Sequence, residues 1–372
     1  MSVIYNSALP ENNKDSYTEY DTVDFVLTYE NQSLQLGSLR LEGDIDVKQN
    51  GLFLNDPLNV DKDIKMDRHV GAHAVCESIQ TEMLGEIFES ITEYPRLVKH
   101  YAVARNTASE NFNSSRVCEL RTPIDVMTTA MLQGSEVSAD GGATKIRKSP
   151  DFSIKPDMIL NSSTDLLPFE RSGAVRVSFN LARMSAVLWG LDVTANTSYS
   201  LKDLRLVYRT VPVMDNKEPI TLRRRINIKQ SIQSSLANVA VKVPSPAVEA
   251  FSSSFQVQSQ EMTYKANNLD MEKVPNLEEL TFLFNDQTNT AVSYLIRDNV
   301  EVVDKFIDAL GDTKRNDMSP ANLANNDAYG IGLKMSSPID LTNQKFSVQI
   351  NSQISNTRPL IYYMFFHTIV QM

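Results

Sequence analysis

A chain of 372 residues with 42% hydrophobic and 22% charged side chains is long enough for two ordinary domains, each with its own core, and has the balance of a globular protein. Its formal charge of −10 argues against a nucleic-acid wrapper, because phosphate affinity comes from clustered Lys and Arg. The cysteines, Cys76 and Cys118, make no disulfide framework, and no stretch reaches the roughly 18 to 20 apolar residues that cross a bilayer.

The opening residues, Met1 to Asn6, lack the basic-then-apolar order of a secretory signal, so synthesis in the cytoplasm is the expectation. Residues 1–20 are expected to form an N-terminal arm. Beyond them, Leu39 and Leu41 followed by Ile45 and Val47 show the period-two alternation of a strand with one wet face. Asp44 and Asp46 share that wet face. They could bind calcium or act as an acid and base pair, but the solvated side of a half-buried strand explains them more simply.

His69, His73 and Cys76 offer metal-ligand types at spacings of four and three, which would share a face in a helix. Gly71 between them and Asp67-Arg68 before them fit a turn or strand entry equally well, and neither a metal nor a cofactor is assigned. From Cys76 to about Ile91, Ile79, Met83, Leu84, Ile87 and Phe88 recur at helical spacing and predict a helix, which Tyr94-Pro95-Arg96 is expected to stop. The loop from Ser135 to Pro150 contains Asp140-Gly-Gly142 and then Lys145, Arg147 and Lys148. Loops of this length on a strand scaffold commonly carry interactions, which makes those three residues candidate intersubunit contacts.

Strand alternation returns at Val175, Val177, Phe179 and Leu181, and again at Leu204, Leu206 and Tyr208. Two prolines and a polar cluster in Val211 to Pro219 then mark a seam, giving a first domain over 21–212 and a second over 213–372. Arg223, Arg224 and Arg225 open the second domain. They are candidate contacts with a neighbour, or a charged edge that blocks wrong strand pairing.

Ile226 and Ile228 begin the next strand. Asp298 with Glu301 resembles a capping box, and Val302, Val303, Phe306, Ile307 and Leu310 follow at helical spacing before Gly311, so a helix is predicted there. The polar stretch from Asp312 to Asp327 reads as another long loop. Phe346, Val348 and Ile350 alternate, and Leu360 to Met372 is the most apolar run in the chain, a strand buried on both faces.

The whole reads as an all-β protein of two consecutive strand-rich halves, each with a helical insertion. No G-x-S-x-G elbow, Walker lysine loop, H-E-x-x-H or helix-opening G-x-G-x-x-G occurs. Several stretches, Leu41 to Val47, Glu93 to Lys99, Gly173 to Leu181, Leu201 to Tyr208 and Lys345 to Met372, together with the two-fold plan, make the chain resemble the double jelly-roll major capsid proteins of icosahedral double-stranded DNA viruses. That resemblance implies two eight-stranded jelly-roll sandwiches, a trimer forming a pseudo-hexagonal capsomer, and a place in the virion shell. It also implies penton or minor capsid proteins as partners, an inner lipid membrane in many members, no sequence-specific nucleic acid and no catalysis. Two rival readings remain at this level. One is a glycan-acting amidase or glycosidase on two jelly rolls with Asp44 and Asp46 in a cleft; the other is a vertex or spike protein that binds a receptor.

Overall fold

Where apolar and polar residues alternate, the computed structural model has strands, and it groups them into two compact units. The first comprises Met1–Val98, Ala108–Ile220 and Tyr264–Asn267; the second comprises Lys99–Thr107, Thr221–Thr263 and Asn268–Met372. The structure describes residues 3–54, 56–59, 61–105, 118–122, 131–133, 135–139, 144–148, 150–213, 218–273, 278–285, 287–288, 294–295, 299–310, 328–352 and 358–372.

The first unit contains β1 (Ile4–Ala8), β2 (Thr22–Leu27), β3 (Gln32–Gln35), β4 (Arg40–Gln49), β5 (Leu52–Phe53), β6 (Cys76–Met83) and β7 (Glu86–Ile91). Helix α1 (Tyr94–Arg105) follows, then β8 (Ser135–Ala139), β9 (Thr144–Lys148), β10 (Asp151–Ile154), β11 (Leu166–Pro168), β12 (Val175–Leu181) and β13 (Thr197–Pro212). Residues of α1 up to Val98 count with the first unit and those from Lys99 with the second. One sheet runs β1-β13-β4-β10, with β3 and β11 extending alongside β13 and β5 turning back on β4; the other runs β2-β12-β6-β7. Their inner faces form the core, and within the second of these sheets Phe25 and Phe179 lie edge to face at 6.0 Å.

The second unit contains β14 (Thr221–Ile232), β15 (Leu236–Lys242), β16 (Val248–Val257), β17 (Glu279–Phe284), β18 (Gln287–Thr288) and β19 (Tyr294–Leu295). Helix α2 (Asn299–Leu310) then precedes β20 (Gly330–Ile339), β21 (Lys345–Asn351) and β22 (Leu360–Gln371). Its sheets run β14-β22-β16-β20 and β15-β21-β17-β18. Aromatic rings dominate this core: Phe346 lies 5.5 Å from Phe251, 6.1 Å from Phe282 and 5.3 Å from Phe366, centroid to centroid, and Phe255 stacks on Tyr362 at 4.4 Å.

Several expectations need correction. Within the expected N-terminal arm, the described residues 3–20 are tied to the first unit's sheet: Ile4 pairs with Thr210 and Ala8 with Leu206, and Tyr17 bridges to Leu201. The helix predicted from Cys76 to Ile91 is the β6–β7 hairpin. Ile79, Thr81 and Met83 point inward at period two, whereas Leu84 and Ile87, which completed the supposed helical stripe, are exposed. The hairpin turns on Leu84 (φ 55°) and Gly85 (φ 76°), both in the left-handed region that a two-residue turn needs. Tyr94-Pro95-Arg96 starts a helix instead of stopping one, since Pro95 sits in the first turn of α1 where no helical N–H is required.

The inward positions of β13 change parity, from Tyr199 and Leu201 to Leu204, Leu206 and Tyr208. An extra residue causes the switch: Lys202 pairs with Asp44 and Arg205 with Glu42, and Asp203 takes φ 50° at the bulge. The predicted second-half helix is α2, with Val302, Phe306, Ile307 and Leu310 buried; Asp298, Gly311 and the loop 312–327 lie outside the described residues. The proposed seam precedes the end of the first unit's main segment at Ile220, and Val211 and Pro212 still belong to β13.

Candidate functional site

Three of the six basic residues singled out from the sequence occupy consecutive positions on β14, an edge of its sheet, and their environments diverge. Arg223 is largely exposed and pairs with Glu249 at 2.9 Å. Arg224 donates to the Pro244 carbonyl at 3.4 Å. Arg225 turns onto the covered face and is 6% exposed; its Nε donates to the Tyr101 hydroxyl at 3.1 Å and its Nη1 to the Arg223 carbonyl at 3.1 Å. Arg225 is therefore not a surface contact. Lys145, Arg147 and Lys148 lie on β9, paired with β8 in a separate hairpin, and their side chains are outside the described residues.

Asp44 and Asp46 also part company. Asp46 is buried beside Lys202 at 2.6 Å, and this pairing raises the lysine pKa. Asp44 lines an open cleft with Glu42, Asp151, Asp203 and Arg205. Arg205 reaches Glu42 at 2.9 Å, so part of this acidic cluster is already neutralised. Nothing in the residue pattern pointed to Asp151, which β10 brings against β4, or to Asp203, which the β13 bulge turns outward.

His69, His73 and Cys76 do not converge on a metal, and among the described residues no group of three or more His, Cys, Asp or Glu side chains could hold one. His69 accepts from Arg68 Nε at 3.2 Å, whereas His73 lies in a 3-10 turn (Gly71–Val75) with its Nδ1 2.6 Å from the Tyr94 hydroxyl. The Asp157 amide donates to that hydroxyl at 3.2 Å; with Tyr94 giving its own hydrogen to Nδ1, the histidine proton is assigned to Nε2, 3.7 Å from Glu119. Burial, then Arg121, holds the His73 pKa below the ordinary histidine value despite Glu119. Burial alone pushes the Cys76 thiol up to about 12, which makes it an inert core group.

A second buried cluster lies on the outer face of the β14-β22-β16-β20 sheet. Small residues form a trough there: Ser252 and Ser254 on β16, Gly330 and Gly332 on β20. Phe306 of α2 fills one side, and His100 of α1 lies edge-on to Phe306 at 5.6 Å and to Phe365 at 5.0 Å. His100 Nδ1 is 3.1 Å from Ser252 Oγ, and its Nε2 is 2.8 Å from Ser254 Oγ. His367 of β22 joins the same hydroxyl, with Nε2 3.1 Å from Ser252 Oγ and Nδ1 3.1 Å from the Tyr101 hydroxyl. This cluster has no sequence signature, because its members come from α1, α2, β16, β20 and β22, with Arg225 of β14 beside them.

The sheet orders decide the architecture. Numbering the eight main strands of each unit from one to eight along the chain, one sheet reads 1-8-3-6 and the other 2-7-4-5, in both units, with a helix between strands five and six. That is a jelly roll, made twice. The chain has the double jelly-roll fold. It superposes on the Faustovirus major capsid protein with a TM-score of 0.63 at 8% identity, covering 100% of this chain and 90% of that one. The PBCV-1 virus capsid gives 0.60 at 8% identity, covering 100% of this chain and 94% of the other. The mavirus major capsid protein gives 0.55 at 10% identity, covering 99% and 90%. No family model matches the sequence, and no curated protein sequence does. At such low identity, what the double jelly-roll chain shares with these viral capsid proteins is the fold.

Proposed function

We propose that this double jelly-roll chain is the major capsid protein of an icosahedral double-stranded DNA virus, and that its function is assembly. The repeated strand order carries the reading. Two sandwiches of one topology in one chain give three copies six similar sides, the requirement for a pseudo-hexagonal tile. The likeness of the full chain to viral capsid proteins supports it.

In this reading the work is done by surface buried between copies, well over 2,000 Å² or so for an obligate interface, and no turnover is involved. The contact elements are the corresponding edge strands β1 and β14, with Tyr5, Leu9 and Tyr20 exposed in the first unit and Leu236 and Arg223 in the second. Partners are copies of the chain, neighbouring capsomers, and penton or minor capsid proteins; the site of action is the virion. Light scattering on the purified chain should give three times the 41.8 kDa mass of one copy, and electron microscopy should show hexagonal tiles. A stable monomer that does not tile rejects the proposal.

A further inference from the structure

We propose that the segment Lys99–Arg105 is an acid-released clasp on the second sandwich, with His367 as the group that takes up the proton. The inference rests on the packing inside the second unit and does not depend on the capsid reading. The segment carries His100, Tyr101 and Arg105, which lie over the outer face of the sheet: His100 in the serine and glycine trough, Tyr101 against His367, and Arg105 donating to the Leu310 carbonyl at the end of α2.

One direction of the hydrogen bonds leaves no hydroxyl hydrogen unused. Arg225 Nε can only donate, so the Tyr101 hydroxyl accepts from it, and the tautomer assigned to His367 has Tyr101 give its own hydrogen to Nδ1. His367 then carries its proton on Nε2 and donates to Ser252, which in turn donates to His100 Nδ1; His100 Nε2 donates to Ser254. A guanidinium at one end thus sets a single neutral tautomer for both imidazoles.

A second proton on His367 has to go on Nδ1, where the hydrogen of Tyr101 already points. To admit it, the Tyr101 hydroxyl would have to accept from two cations at once. Among the described residues, the titratable and charged groups that face His367 are Arg225 from β14 and Arg105 and His100 from α1, with Ser252 from β16 uncharged. Both guanidinium groups flank the Tyr101 ring, Arg105 at 4.0 Å and Arg225 at 5.7 Å from its centroid. Burial, followed by Arg225, Arg105 and His100, holds the His367 pKa well below the ordinary value.

The direction of the response follows by linkage. A histidine with a lowered pKa in the closed form binds fewer protons than it does when released, so closure is fully stable above the free value of roughly 6.5 and weakens as pH falls below it. The release equilibrium rises by up to about tenfold per pH unit in that window for the one linked proton. At neutral pH the clasp is shut. Acid opens it and uncovers the trough.

Hydrogen–deuterium exchange on the full chain between pH 7.5 and 5, corrected for intrinsic rates, tests this with His367→Gln as the control. The glutamine amide keeps the donor to Ser252 but takes up no proton. In the unmodified chain, opening of 99–105 should steepen by up to about tenfold per pH unit relative to the variant. Equal acid responses in the two proteins, or unchanged protection down to pH 5, would overturn the proposal. If His367→Gln does not fold, imidazole ¹⁵N spectra of the unmodified chain decide: a bare Nδ1 that stays bare well below pH 6.5 supports the clasp. A proton on Nδ1 at neutral pH, or an ordinary titration, refutes it.

Discussion

The Phe306 ring of α2 lies so close to Gly330 of β20 that a Cβ on the glycine would fall 2.4 Å from it, and a Cβ on Gly332 would fall 2.6 Å from the Phe306 Cα. Neither glycine is there for its backbone freedom; both make room for a helix. Gly330→Ala meets a side chain that can shift, whereas Gly332→Ala meets backbone. Urea unfolding should show losses of about 1–3 kcal/mol, larger for Gly332→Ala, and Phe306→Leu should recover part of the loss in Gly330→Ala but little in Gly332→Ala.

Phe346 is the hub of the second core, with ring contacts to Phe251, Phe282, Phe284 and Phe366. Phe346→Ala should cost about 3–5 kcal/mol in a denaturant melt, because so many rigid neighbours cannot collapse into the cavity. Phe346→Leu should cost much less.

In the first sandwich, Tyr94→Phe removes the partner of both His73 Nδ1 and the Asp157 amide, at an expected cost of about 1–3 kcal/mol. His73 also predicts a pH effect. Its folded pKa is lowered, so its contribution is intact above roughly 6.5 and is lost as pH falls toward the folded value. Thermal melts from pH 8 to 5 should show this decline, and His73→Gln should reduce it, leaving the part that comes from His367.

Two neighbouring arginines should behave differently. Arg223→Glu breaks an exposed pair with Glu249, so its effect on stability should stay within about 1 kcal/mol while, under the proposed capsid role, trimer formation by light scattering falls. Arg225→Ala removes a buried donor from Tyr101 and should lower the melting temperature before any assembly step is reached.

The sequence made some of this legible. Val175 to Leu181 and Phe346 to Ile350 alternate without interruption and are strands with one face inside; α2 has a full apolar stripe. Helix α1 left no such trace because it is buried nearly all round, with Arg96, Lys99 and His100 inside alongside Leu97 and Val98. A helix whose polar groups are buried by pairing shows no amphipathic period. The β6–β7 hairpin was misleading for the opposite reason: exposed Leu84 and Ile87 filled in a helical pattern by coincidence. The histidine clusters were invisible because each joins residues far apart in the chain, such as His100 with Ser252 and Ser252 with His367.

Strand β22 lies between β14 and β16, with Thr221 opposite Gln371 and Val257 opposite Leu360. During synthesis those two flanking strands leave the ribosome long before their shared neighbour, and each waits with an unfilled ladder of amides and carbonyls. Such late, long-range closure is slow. It also acts as a timer: a nascent chain has no finished second sandwich to offer any partner until translation has passed residue 371, so association through that sandwich cannot outrun synthesis.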